Sequence, residues 1–106
     1  MTTIVLADDH TIVRQGLRAL LEAEEDFSVI GESADGADVT ELVTRLRPDV
    51  LVLDLMMPVI DGFEVLRRLT ENPSTSHIPV IILTAKIDAA SERECMQLGA
   101  VDYIKK

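Results

Sequence analysis

Three carboxylates, a hydroxyl and a lysine close short apolar runs in this 106-residue chain. Asp8 and Asp9 follow Thr3-Ile4-Val5-Leu6-Ala7, Asp54 follows Val50-Leu51-Val52-Leu53, Thr84 follows Pro79-Val80-Ile81-Ile82-Leu83, and Lys106 closes the run holding Val101, Tyr103 and Ile104. Runs of this length, rich in Val and Ile and bounded by turn-forming residues, read as strands covered on both faces. Ligands of open α/β sheets bind outside the carboxyl ends of the strands, so these polar residues are expected to share one edge. Two carboxylates about 4 Å apart repel by roughly 4 kcal/mol at an effective dielectric of about 20. Three of them therefore call for a cation. Carboxylates, a main-chain carbonyl and retained waters suit Mg²⁺, with Mn²⁺ as the other ion of that class, and the lack of clustered Cys and His argues against zinc. A metal beside a carboxylate with a lysine and a hydroxyl nearby is what phosphoryl transfer to an aspartate requires. The carboxylate is the nucleophile, and cationic and hydroxyl donors hold the phosphoryl oxygens.

The elements that must position these groups are legible from periodicity. After the first run, Val13, Leu17, Leu20 and Leu21 recur at helical spacing, with the helix ending near Glu24 and His10 and Thr11 as neighbours of its cap. Residues 27–33 partly alternate, which suits an edge strand, and Gly36 is expected to break the chain. Val39, Leu42, Val43 and Leu46 define a second helix that Pro48 cuts off. Asp61 can cap a third helix turning Phe63, Val65, Leu66 and Leu69 inward, and residues 72–76 have loop composition. Between Ala89 and Leu98 the apolar positions align poorly before Gly99, so this fourth helix is expected to be the least stable. The alternation β-α-β-α-β-α-β-α-β implies a parallel sheet with helices on both faces. With right-handed crossovers and one reversal, the first helix lies on one face and the later three on the other. One helix cannot shield five strands. The chain is therefore expected to continue past Lys106, or a partner surface to cover the gap.

Composition narrows the class. A hydrophobic content of 47% is enough for a buried core in one domain, residues 1–106. The net charge of −9 argues against nucleic-acid or anionic-membrane binding by this segment. Cys95 stands alone, no secretory signal is recognisable and no apolar run approaches a membrane span, so the cytoplasm is the expected compartment.

The acid pair Asp8-Asp9, the stretch Leu53-Asp54-Leu55-Met56-Met57-Pro58 with Asp61-Gly62, Thr84-Ala85, and Gly99-Ala100 through Tyr103 and Lys106 resemble a response-regulator receiver domain in order and approximate spacing. The resemblance implies a flavodoxin-like, doubly wound five-stranded parallel sheet of order 2-1-3-4-5, with the family's fifth helix absent from this chain. It implies that Asp54 is the phosphoacceptor, that Asp9 ligates Mg²⁺ or Mn²⁺ directly and Asp8 through water, and that the Met56 carbonyl completes the protein's share. Thr84 and Lys106 become the phosphoryl-contacting pair, Tyr103 the aromatic coupled to Thr84, and Ala85 the small residue beside the phosphoryl group. A proline and a fifth helix follow the lysine in the family, a departure that bears on Lys106. Leu6 to His10, Val13-Arg14 and Gly16 to Leu21 most resemble receivers joined to helix-turn-helix DNA-binding domains. The implied partners are a sensor histidine kinase or phosphotransfer protein and a DNA-binding output domain outside this chain, with a homodimer left open. The implied role is a switch controlling transcription, not an enzyme beyond its own phosphorylation and dephosphorylation.

Plainer readings stand beside these. Singly, Asp8-Asp9 is a capping pair, Thr84 a cap, Lys106 a surface lysine and Tyr103 a half-buried strand aromatic. Cys95 reads as a small buried hydrophobe, Met56 and Met57 as packing side chains, and His10 and His77 as surface residues, with a place for His10 at the site rim left open. An aspartyl-phosphate phosphohydrolase needs a second acid soon after its nucleophile, where Leu55, Met56 and Met57 stand. A flavodoxin-like nucleotide binder would not place Asp8-Asp9 against a phosphate. A receiver-like module that is never phosphorylated has no need of all five groups.

Overall fold

Strand and helix alternate where the hydrophobic period switches between short apolar runs and 3.6-residue spacing. The computed structural model describes residues 1–57, 59–84 and 89–105. Its elements are β1 (Thr2–Ala7), α1 (Thr11–Glu22), β2 (Phe27–Ser33), α2 (Gly36–Leu46), β3 (Val50–Asp54), α3 (Gly62–Glu71), β4 (Val80–Thr84), α4 (Ala89–Gln97) and β5 (Asp102–Lys105). All four strand pairings are parallel, in the order β2-β1-β3-β4-β5. The sheet order implied by the family resemblance is therefore observed. The order reverses between β1 and β3, and the switch point of such a sheet is where its binding crevice opens.

The helices divide between the faces as right-handed crossovers demand. Val39 and Val43 of α2, Val65, Leu66 and Leu69 of α3 and Cys95 of α4 pack with Val5, Leu51, Leu53, Val80 and Ile82 in the larger core. Burial of the Cys95 thiol, with Glu94 beside it, pushes its pKa up, which suits a packing residue. On the other face, among the described residues, α1 alone meets the sheet, through half-buried Leu17 and Leu21 against Ile4, Leu6 and Val29. An apolar recess beside it is lined by residues including Ile4, Leu21, Val52, Leu83 and Ile104. Among the described residues, no helix is long and apolar enough to cross a membrane.

Three expectations are corrected. Leu20 is 72% exposed, because α1 meets the sheet through Leu17 and Leu21, and Leu20 lies about 80° round the helix from the middle of that pair. Gly36 does not break the chain but opens α2, where the Asp35 side chain accepts the Ala37 N–H at 2.7 Å. A Cβ there would stand 1.8 Å from the Ile60 carbonyl oxygen, so glycine is what lets the loop before α3 lie against α2. Met56 is 70% exposed, whereas Met57 is buried as expected.

Candidate functional site

The register brings the carboxylates together. Ala7 is opposite Leu53, so Asp8 and Asp54 emerge one step further along adjacent strands. Asp54 is opposite Leu83, which sets Thr84 one residue beyond it on β4, and Thr84 is opposite Lys105 on β5. Asp8 and Asp54 are each 1% exposed, Thr84 is buried and Asp9 is exposed. Ligand atoms of Asp8, Asp9, His10 and Asp54 all lie within 4.8 Å of one another. Three carboxylates at that range form a strongly anionic pocket whose hard oxygen donors fit a small divalent cation. Lys106, Ala85 and Pro58 lie outside the described residues.

Local structure holds each group in place. Asp54 Oδ1 accepts the Met56 N–H at 3.0 Å, which fixes the carboxylate as the chain leaves β3. The Leu55 carbonyl accepts the Gly62 N–H at 2.9 Å, tying the first residue of α3 to the strand end. A Cβ on Gly62 would stand 2.6 Å from the Leu55 Cα and 2.7 Å from the Asp54 carbonyl oxygen, so that contact needs glycine. Asp61 caps α3 through the Glu64 N–H at 3.0 Å, as its sequence position predicts. Between these anchors Val59 holds a φ of 68°, an unusual value for a β-branched residue.

The acid pair is held by residues the sequence reading did not single out for this role. β2 carries a bulge, with Ile4 opposite Val29 but Val5 opposite Gly31, and this shift sets Ser33 opposite Ala7. The Ser33 carbonyl then accepts the Asp8 N–H at 3.0 Å. Arg14 Nη1 donates to the Asp8 carbonyl at 2.6 Å, and its Nε donates to Glu32 Oε1 at 3.0 Å. Arg18 engages the other Glu32 oxygen. Val13-Arg14 stands out in the sequence only as part of the family resemblance, and nothing local joins Arg14 to Glu32.

His10 is the second addition. It is the N-cap residue of α1 but makes no side-chain cap bond, and its N–H donates to Asp8 Oδ1 at 2.8 Å. The ring turns inward instead, with Nδ1 3.2 Å from both Asp8 Oδ1 and Asp9 Oδ1 and 3.8 Å from Asp54 Oδ2. Tyr103 is half-buried against the larger core, and its phenol hydrogen-bonds the Glu92 carboxylate of α4. That bond, helped by desolvation and by Asp102, raises the phenol pKa above its ordinary value.

Residues 4–106 match the response regulator receiver domain family, and the chain belongs to that family. It is 40% identical over 106 residues to the transcriptional regulatory protein LiaR of Bacillus subtilis (strain 168), covering 100% of this chain and 49% of that protein. It spans about half the length of the transcriptional regulators it matches. Among solved structures, a LuxR-family two-component response regulator from Aurantimonas sp. SI85-9A1 superposes with a TM-score of 0.93 at 31% identity, covering 100% of this chain and 74% of that one. The Mn²⁺-bound form of the response regulator Rcp1 superposes with a TM-score of 0.91 at 25% identity, covering 100% and 81% of the two chains. The chain is thus a signalling receiver of two-component systems, with transcriptional regulators among its relatives.

Proposed function

We propose that this chain is a phosphorylation-driven switch in which Asp54 accepts a phosphoryl group from the phosphohistidine of a sensor kinase or phosphotransfer protein. What carries the reading is the burial of Asp54 at the sheet's switch point with the acid pair in ligand range. An Asp54 carboxylate oxygen attacks phosphorus, the phosphorus–nitrogen bond breaks, and the imidazole leaves with the electron pair. Asp8, Asp9, Asp54 and the Met56 carbonyl would hold Mg²⁺ or Mn²⁺, which supplies charge neutralisation to the transferring oxygens. The donor set fits such an ion, and Rcp1 has been solved with Mn²⁺. Thr84 and Lys106 receive the phosphoryl oxygens.

The added charge acts on the α4–β5 face. Thr84 moves toward the phosphoryl group, Tyr103 turns inward behind it and gives up its bond to Glu92. The listener is an output domain outside these residues, and the transcriptional relatives favour a DNA-binding one in the cytoplasm. A further helix, following residue 106 in the whole protein, covers the apolar recess beside α1.

The test is to incubate the chain with Mg²⁺ and a small-molecule phosphoryl donor and to weigh it. One phosphoryl increment is expected, absent in Asp54→Asn and after chelation of the metal. An increment that survives Asp54→Asn, or none in a longer chain carrying the further helix, overturns the reading.

A further inference from the structure

The ring nitrogen of His10 occupies a place in the cluster that a bystander would not need. His10 can reach it because its main chain is extended, with φ −87° and ψ 104°, and its own N–H is already bound to Asp8 Oδ1. This fold-back sets Nδ1 3.2 Å from one oxygen of Asp8 and 3.2 Å from one of Asp9, and 3.8 Å from Asp54 Oδ2. Around a six-coordinate ion with bonds of about 2.1 Å, neighbouring donor atoms stand about 3.0 Å apart and opposite ones about 4.2 Å. The three separations lie close to or between those values. Asp9 and His10 are exposed, so an ion can enter from that side.

We propose that His10 is a nitrogen ligand of the divalent-ion site and sets its metal preference, favouring first-row transition ions over Mg²⁺. The inference rests on the divalent-ion reading given above and adds a donor to it. Carboxylate and carbonyl oxygens alone suit Mg²⁺ and Mn²⁺, whereas an imidazole nitrogen adds affinity that grows from Mn²⁺ through Co²⁺ to Ni²⁺ and adds little for Mg²⁺. With an oxygen in place of Nδ1 that gradient becomes shallower. His10 is 59% exposed at its side chain, and its ring bonds Asp8 rather than the first turn of α1, so its replacement acts on the acid cluster more than on the helix.

The experiment titrates the 106-residue chain and its His10→Asn and His10→Ala variants with MgCl₂, MnCl₂ and NiCl₂ by calorimetry. Asn is a favoured N-cap residue, so it separates loss of the ligand from loss of the helix start. The expected result is a graded loss, at least about tenfold for Ni²⁺, smaller for Mn²⁺ and within about twofold for Mg²⁺. Pulsed EPR of the Mn²⁺ form in a His77→Gln background gives a second readout, with nitrogen modulation present when His10 is intact and absent in His10→Asn. Equal losses for all three ions, or tighter binding by the variants, would overturn the ligand role while leaving the ion site standing. No binding of any ion by the unmodified chain would overturn both.

Discussion

Arg14 reaches back from α1 to donate to the Asp8 carbonyl at 2.6 Å while its Nε binds Glu32 of the edge strand at 3.0 Å. One side chain thus fixes the main chain of the acid pair to β2. Arg14→Ala leaves a buried aspartate's carbonyl without its charged donor, and is expected to cost about 1–3 kcal/mol in urea unfolding. Mg²⁺ affinity should fall with it. Arg14→Lys offers a point charge in place of the planar fork and is expected to recover only part of either loss. A variant with unchanged stability and unchanged Mg²⁺ affinity would deny Arg14 this positioning role.

Asp54→Asn separates the charge of the site from its shape. The amide oxygen can keep the Met56 N–H bond that Oδ1 now accepts at 3.0 Å, so the strand end should hold. Removing one of three crowded carboxylates is expected to stabilise the metal-free chain by about 1 kcal/mol. For a domain of this size that is a rise of about 4–8 °C in Tm. Mg²⁺ should raise the Tm of the parent chain in proportion to its binding and should raise that of the variant much less. Thermal unfolding with and without EDTA reads both effects, and equal Mg²⁺ stabilisation of the two proteins would remove Asp54 from the metal site.

The placement of Asp54 was readable because four apolar residues run without a break into a carboxylate, and a buried strand has only one place to put such a residue. The division of helices between the faces followed from right-handed crossovers once a single reversal of strand order was assumed. The Arg14–Glu32 bond was not readable, since it joins residues 18 apart and depends on the extra residue in β2, which no periodicity announces. The inward turn of the His10 ring depends on one extended residue at a helix start, which the sequence marks only as a place for a cap. Leu20 misled for a simpler reason: helical spacing counts apolar residues on a broad face, but α1 has only a narrow stripe against the sheet.

The two glycines of opposite setting make a paired test. On α3, Gly62 has backbone of Leu55 and Asp54 within 2.6 and 2.7 Å of any added Cβ. Gly62→Ala must push the strand end aside, and is expected to cost roughly 1–3 kcal/mol and to weaken Mg²⁺ binding, because Asp54 moves with its own carbonyl. On α1, Gly16 has nothing within 4 Å of such an atom. Gly16→Ala should stabilise by about 0.5–1 kcal/mol through helix propensity, with Mg²⁺ binding unchanged. If Gly62→Ala left denaturation and metal titration as they were, the close approach of α3 to Asp54 would be immaterial.

The bond between Tyr103 and Glu92 predicts both a titration and a response to activation. The Glu92 carboxylate raises the phenol pKa, so the interaction stabilises the fold fully below the unfolded tyrosine value, near 10, and is lost as pH rises through the higher folded value. Glu92→Gln removes the charge that opposes phenolate formation, and the ultraviolet titration midpoint of Tyr103, the single tyrosine, should move back down. Phosphorylation of Asp54 is expected to act on the same bond: turning Tyr103 inward breaks it, and amide exchange across α4 and β5 should speed up. The same segment in Glu92→Gln should already exchange faster before any phosphoryl group arrives. Identical protection in the parent chain with and without a phosphoryl mimic would mean that the signal leaves the domain by another face.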